Sequence, residues 1–176
     1  MRDHQRLQHL SGVLYWIALA LSVLLPIIVL VYAGQAVNDP ASLLARTPLL
    51  PAGTPVTTTQ AGLVAAVALV SVLPMVAALR GMVRLFAAYR DGEVLSEGNA
   101  DTILRIGRNL LFVAGFTVLV PTLQTLILSW NAGQRMLSIG LDQGTLGFLL
   151  AAGLLTVIGF AMREAAAVKA ENAGFV

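Results

Sequence analysis

Four long apolar segments, separated by more polar ones, dominate the hydrophobic pattern of this chain. They cover about residues 10–33, 61–79, 109–130 and 144–162, and none of them contains Asp, Glu, Lys, Arg or His. A helix rises about 1.5 Å per residue, so about 20 apolar residues cross the roughly 30 Å hydrocarbon core of a bilayer. The pattern therefore predicts an all-α integral membrane protein, a four-helix transmembrane bundle that forms one domain over residues 1–176.

Composition supports a membrane protein and excludes several other classes. Hydrophobic residues make up 57% of the chain and charged residues 11%, whereas soluble domains carry about 25% charged residues. The first apolar segment is longer than the roughly 7–15 residues of a signal-peptide core, so we expect a retained span. The chain has no cysteine, which excludes disulfides and thiolate metal sites. Its basic residues flank the spans instead of forming a patch, so no direct nucleic-acid partner is expected.

The distribution of basic residues predicts the orientation. Nine of the 11 Lys and Arg residues lie in the N-terminal segment, between spans two and three, or in the C-terminal tail, and two lie on the other side. Cytosolic loops of membrane proteins carry an excess of Lys and Arg. We therefore expect both termini and residues 80–108 in the cytosol and residues 34–60 in an outer loop.

Residues 80–108, named the elbow here, carry most of the distinctive side chains. An apolar stripe at helical spacing continues span two into the cytosol, and Asp91-Gly92 is a turn signal that ends this helix. Ser96 or Asn99 can cap the next helix. The stripe consists of Met82, Leu85, Phe86 and Tyr89.

The outer loop is rich in proline, unlike the elbow. It holds four of the seven prolines, so most of it should be irregular. Residues 41–45 can form one helical turn, and Thr57, Thr58 or Thr59 can cap span two.

Two interpretations of the elbow stay open. Its arginines flank the inner headgroup layer, where they can attract anionic lipid, and its apolar stripe can meet a protein partner. The lipid-headgroup candidates are Arg80, Arg84, Arg105 and Arg108, and the partner-binding candidates are the four stripe residues.

Polar and small residues within the spans suggest a pocket or a packing interface. Gln124 is the most costly of them to expose to lipid, so Gln124 and Thr125 are candidates for a small ligand pocket or for hydrogen bonds between helices. Gly62 with Ala66, and Gly147 with Ala151, are small pairs four residues apart. Such pairs mark close helix contacts, either within the protein or in a homo-oligomer.

A family resemblance is carried by the order of residues in the elbow. Leu85-Phe86-Ala87-Ala88-Tyr89 is followed by Gly92-x-Val94-Leu95-Ser96, by Asn99 and by Ile103-x-x-Ile106-Gly107. With four spans and this length, the chain resembles the bacterial membrane family known as domain of unknown function 2975, although that family's pattern has phenylalanine where Leu95 stands. The resemblance implies a multi-pass protein of the bacterial cytoplasmic (inner) membrane with a regulatory partner, and it implies no site residues.

The spans favour a role without catalysis. Without ionisable residues in the spans, an ion-coupled pump or an intramembrane hydrolase is disfavoured. His4 and His9 are five residues apart, which does not place them together as metal ligands, so no metal or cofactor is expected. We predict a small non-enzymatic membrane protein with a regulatory or accessory role, acting on a protein partner through the elbow. The alternative is a transporter or channel component for a neutral or apolar small molecule.

Overall fold

A computed structural model describes residues 2–47, 54–93, 96–131 and 137–173. Throughout these residues the regular structure is helical, which confirms the all-α prediction, and all four long helices are apolar enough to cross a membrane. Two short 3-10 helices, Pro40–Arg46 and Ser129–Asn131, follow the first and third long helices. The long helices are α1 (Arg2–Asn38), α2 (Thr58–Arg90), α3 (Glu97–Leu128) and α4 (Gln143–Ala173).

Side chains at the helix ends explain where α2 and α3 begin and end. Thr57 and Gln60 form a capping box at the start of α2, and Ser96 accepts a hydrogen bond from the backbone N–H of Asn99 at the start of α3. Both caps were predicted, and each provides an acceptor for an N–H that the helix itself cannot satisfy. Gly92 follows α2 with a φ of 88°, which glycine adopts without steric cost. The predicted turn at Asp91-Gly92 is confirmed.

The start of α4 is held by a carboxylate. The Asp142 side chain accepts a hydrogen bond from the backbone N–H of Thr145, with 2.6 Å between the two heavy atoms. Hydrogen bonds from the Thr145 backbone and side chain lower the pKa of Asp142, because they stabilise its charged form. The interaction favours α4 when Asp142 is ionised and is lost as pH falls through its lowered pKa.

The outer faces of the helices are apolar and their inner faces are built largely from small residues. Trp16 is 65% exposed and Leu150 is 74% exposed, whereas Ala18, Ala78 and Ala152 are buried. This arrangement is expected where lipid is the solvent, because large apolar side chains then lose nothing by facing outward and small ones allow helices to approach. The exposed apolar surface is therefore the surface that contacts the bilayer.

Helices that are neighbours in sequence are also neighbours in space. Within the described residues, the long helices approach one another closely only in the pairs α1–α2, α2–α3 and α3–α4. One core cluster lies at the end of the molecule opposite the elbow and contains Leu43, Ala61 and Leu128. The second is drawn from α2, α3 and α4 and continues into the elbow through Leu85 and Ile103. The ends of α2 and α3 at the elbow thus pack against each other, and α4 packs against α3.

Helices α3 and α4 come closest at two glycines. A Cβ atom built on Gly107 would lie 2.9 Å from the Thr156 Cα, and one built on Gly159 would lie 2.9 Å from the Leu104 Cα. Real Cβ atoms are almost never found that close to a backbone atom of another helix. Leu104–Gly107 on α3 and Thr156–Gly159 on α4 therefore form a reciprocal contact, named the glycine crossing here.

The small pairs singled out from the sequence lie elsewhere. A Cβ added to Gly62 or Gly147 would meet nothing within 4 Å, and Ala66 and Ala151 are exposed. The interpretation that these pairs pack within the protein is therefore wrong, because their positions on the helices do not face a neighbouring helix. The glycine crossing lies on two other segments. Contact of these pairs with a second copy of the chain stays a prediction.

Candidate functional site

The elbow is a folded corner and not a loose connection. Asn99 donates from its side-chain amide to the Glu93 carbonyl at 2.6 Å, and the Glu93 N–H donates to the Ala88 carbonyl at 2.9 Å. Asn99 is also buried, so this bond ties the start of α3 to the segment that leaves α2. The orientation of the two helix ends is fixed by these contacts together with the core cluster beneath them.

The apolar stripe of the elbow faces mainly inward. Leu85 is buried in the core cluster with Ile103 and Ile106, and Met82 and Tyr89 pack against that cluster. Phe86 is half-buried. The structure thus does not present the four predicted partner-binding residues as one exposed face, because α3 folds back over the stripe. Contact of these residues with a protein partner stays a prediction. Because Leu85 is buried and the other three are partly buried, a partner could reach only part of the stripe.

Charged side chains form the exposed surface of the elbow. Arg90 lies 3.7 Å from Asp91 and its guanidinium stands 5.3 Å from the centre of the Tyr15 ring, while Arg163 lies 3.6 Å from Asp101. These groups are about half exposed or more, so solvent screens the ion pairs and each adds little stability. Their main effect is to present both signs of charge at the cytosol-facing end predicted for the protein.

A cleft between α2 and α3, named the arginine cleft here, brings together three of the four lipid-headgroup candidates. Arg80 and Arg84 reach it from α2 and Arg105 from α3, and the space has a volume of about 320 Å³. Arg108 is exposed and does not line it. The remaining walls are Leu73, Val76, Ala77, Gly81, Thr102, Ile106 and Asn109.

The arginines of this cleft are only weakly engaged by the protein. Arg105 has two long hydrogen bonds, from Nε to the Asp101 carbonyl and from a terminal nitrogen to Thr102 Oγ1, each 3.4 Å. Neither Arg80 nor Arg84 forms an ion pair within the described part of the chain. The cleft therefore has a strongly positive end whose donors remain available to an anion.

A larger cavity of about 510 Å³, named the apolar groove here, lies between α1, α2 and α3. Its polar side chains are Tyr32, Ser71 and Thr117, and the Ser71 and Thr117 hydroxyls donate to backbone carbonyls of their own helices. The groove suits an apolar molecule. Its other lining residues are Leu25, Ile28, Val29, Ala68, Val72, Met75, Val113, Phe116, Val120 and Pro121.

The two residues predicted to form a ligand pocket do not line the apolar groove. Thr125 is 3% exposed, and its hydroxyl donates to the Pro121 carbonyl at 2.6 Å. Gln124 is half-buried one position away. The groove lies on an adjacent part of α3 that includes Pro121. A pocket at Gln124 and Thr125 stays a prediction.

The glutamine that joins two helices is Gln60, which the sequence analysis did not single out. Its side-chain amide donates to the Ile127 carbonyl of α3 at 2.8 Å. Its side-chain oxygen accepts from the Thr57 N–H at 2.9 Å and from the Asn131 amide at 3.3 Å. The spacing Thr57-x-x-Gln60 is that of a capping box and could have revealed the capping role of Gln60, whereas the bond to Ile127 depends on how α2 and α3 pack.

No protein-family model matches this chain, and no curated protein or solved structure matches it. Its classification as a membrane protein therefore rests on the four apolar helices and the surface that they expose.

Proposed function

We propose that this protein is a non-enzymatic regulatory or accessory membrane protein that acts on a protein partner through its elbow. The observation that carries the proposal is the packed extension of α2 and α3 beyond their charge-free segments. Helix α2 has 33 residues, about 50 Å at 1.5 Å per residue, whereas a hydrocarbon core is about 30 Å thick. The excess length projects a rigid, charged corner from the membrane.

Three features support this role. The elbow is fixed by the Asn99–Glu93 hydrogen bond, so a partner would not have to order it on binding. Its exposed surface carries both signs of charge, which favours specific protein contact. The order of residues in the same segment resembles domain of unknown function 2975, and this resemblance implies a regulatory partner and a location in the bacterial inner membrane.

The proposal requires the elbow in the cytosol, and the absence of cysteine allows a direct test. Glu97→Cys places one thiol on the elbow and Asp39→Cys places one at the opposite end, both at exposed positions. With a membrane-impermeant maleimide on intact cells, we expect at least tenfold more labelling of Asp39→Cys than of Glu97→Cys. We expect Glu97→Cys to react only after permeabilisation. The reverse pattern would put the elbow outside.

The partner itself is tested by affinity purification from the native membrane in mild detergent, followed by mass spectrometry. Glu93 and Glu97 are exposed on the elbow, so the Glu93→Lys/Glu97→Lys variant changes its surface charge without altering the core. We expect a stoichiometric partner with the unmodified chain and at least a tenfold loss of that partner in the variant, because like charges oppose the former contacts.

The matched control for this experiment is Asp39→Lys, which alters an exposed charge at the other end of the molecule. It should retain the partner at the level of the unmodified chain. Absence of any stoichiometric partner, or undiminished recovery with the elbow variant, would contradict the accessory role.

The apolar groove favours a second candidate function, the binding or transport of an apolar small molecule. Its volume of about 510 Å³ and its mainly aliphatic walls fit a lipid-soluble ligand better than a polar one. A purification that yields no partner would shift the proposal to this groove.

A further inference from the structure

The arginine cleft changes character along its length. Its walls at Leu73, Val76 and Ala77 belong to the charge-free part of α2, and Arg80 and Arg84 follow within the next two turns. In a membrane, the first part lies at the depth of acyl chains and the second at the depth of headgroups. One continuous cleft thus offers an apolar wall and a positive end to the same molecule.

The positive end is suited to a phosphate group. Arg80 and Arg84 are four residues apart on one helix face, a spacing at which like charges are unfavourable unless an anion lies between them. Arg105 faces them from α3 across the cleft. Thr102 and Asn109 add polar groups, and no acidic side chain lines the described cleft. Guanidinium groups bind phosphate oxygens through paired, charge-assisted hydrogen bonds.

We propose that the arginine cleft is a binding site for the headgroup phosphate of one anionic phospholipid, with an acyl chain along Leu73, Val76 and Ala77. General attraction of basic residues to an anionic membrane would treat all elbow arginines alike. The structure instead places Arg80, Arg84 and Arg105 around one space and leaves Arg108 outside it. The apolar wall favours a lipid over a free phosphate ester, because only a lipid can cover both parts of the cleft.

The experiment uses the full chain, purified in a neutral detergent, with phosphatidylglycerol or phosphatidylcholine of identical acyl chains. Bound lipid is counted by native mass spectrometry during titration. We expect one phosphatidylglycerol per chain, bound at least tenfold more tightly than phosphatidylcholine. Each basic residue near an anionic surface contributes about a fivefold gain, so Arg80→Gln/Arg84→Gln/Arg105→Gln should weaken binding roughly 100-fold.

Arg108→Gln is the matched control, since it removes one exposed elbow arginine that does not line the cleft. It should change the affinity less than twofold, and glycerol 3-phosphate should not displace the lipid. If the triple variant does not fold, the exposed Arg84→Gln alone should weaken binding about fivefold.

Three results would overturn the proposal. Equal affinity for the two lipids would show that the phosphate environment is not selective. An equal loss in Arg84→Gln and Arg108→Gln would show general electrostatic attraction. Displacement by glycerol 3-phosphate would assign the cleft to a soluble phosphate ester. Partner recovery with Glu93→Lys/Glu97→Lys is independent of all three, since neither glutamate lines the cleft.

Discussion

Gly107→Ala and Gly159→Ala are each expected to destabilise the protein by about 2–4 kcal/mol, although each adds a single methyl group. The added carbon would lie 2.9 Å from the Cα atom of Thr156 or of Leu104, respectively. A backbone atom cannot rotate away as a side chain can, so α3 and α4 must separate. Overpacking of a tight core costs about 1–3 kcal/mol and more where backbone has to move.

The measurement is equilibrium unfolding of the purified variants in mixed micelles with increasing SDS, followed by circular dichroism. Gly115→Ala on α3 and Gly153→Ala on α4 are the matched controls, because a Cβ at either position meets nothing within 4 Å. Alanine favours a helix over glycine by about 0.8–1.0 kcal/mol in soluble hosts. The controls should therefore be neutral or more stable.

The difference in sign between the two sets makes this prediction specific. General intolerance of the helices to substitution would lower the stability of all four variants, and helix propensity alone would raise it for all four. If Gly107→Ala and Gly159→Ala were as stable as Gly115→Ala and Gly153→Ala, the glycine crossing would not hold α3 and α4 together.

The helices and their ends could be predicted from the sequence because their causes are local. Charge-free segments of sufficient length set the spans, and Thr57, Ser96 and Gly92 set helix boundaries through contacts within a few residues. Helix α1 nevertheless continues through Gly34 to Asn38, five residues beyond the predicted span, and ends only before Asp39-Pro40.

Pairing between helices could not be predicted in the same way. Gly62, Ala66 and Gly107 are all small residues, so the sequence does not show which of them faces another helix. The rotation of each helix about its own axis decides this. The elbow shows the same limit. Its apolar stripe was correctly placed on a helix, but Leu85 is covered by Ile103 and Ile106, which lie well beyond the turn at Gly92. A stripe at helical spacing specifies an apolar face and does not specify what covers it.

The sequence could suggest which arginines share a location, because their charge and their distance from the apolar segments are both local features. Arginines at the inner boundary of the spans predicted lipid contact, and the structure separates three that share a cleft from Arg108. Gln60, which bonds to residues of two other segments, was missed because its partners are not local. Gln124 was chosen for its depth in a span, whereas Gln60 gains its importance from Ile127, which lies 67 positions away in sequence.

Gln60→Leu is expected to destabilise the protein by about 2–3 kcal/mol. Gln60 is 6% exposed, and its amide donates to the Ile127 carbonyl near the end of α3, where carbonyls lack partners within the helix. Leucine removes this bond and also leaves the Thr57 N–H and the Asn131 amide without their acceptor. Loss of a buried hydrogen bond such as that of Gln60 to Ile127 costs about 1–3 kcal/mol, whereas Thr57 and Asn131 are exposed, so water can replace their lost acceptor.

Gln124→Leu is the matched control and should change the free energy of unfolding by less than about 0.5 kcal/mol. Gln124 is half-buried, and its side chain makes no hydrogen bond within the described residues. The same SDS titration compares both variants with the unmodified chain. If Gln124→Leu lowered the free energy of unfolding more than Gln60→Leu, the polar contact between helices would lie at Gln124. The prediction of a ligand pocket at Gln124 would then gain support. A selective loss at Gln60 would instead show that the ends of α2 and α3 opposite the elbow are joined by a structural hydrogen-bond network.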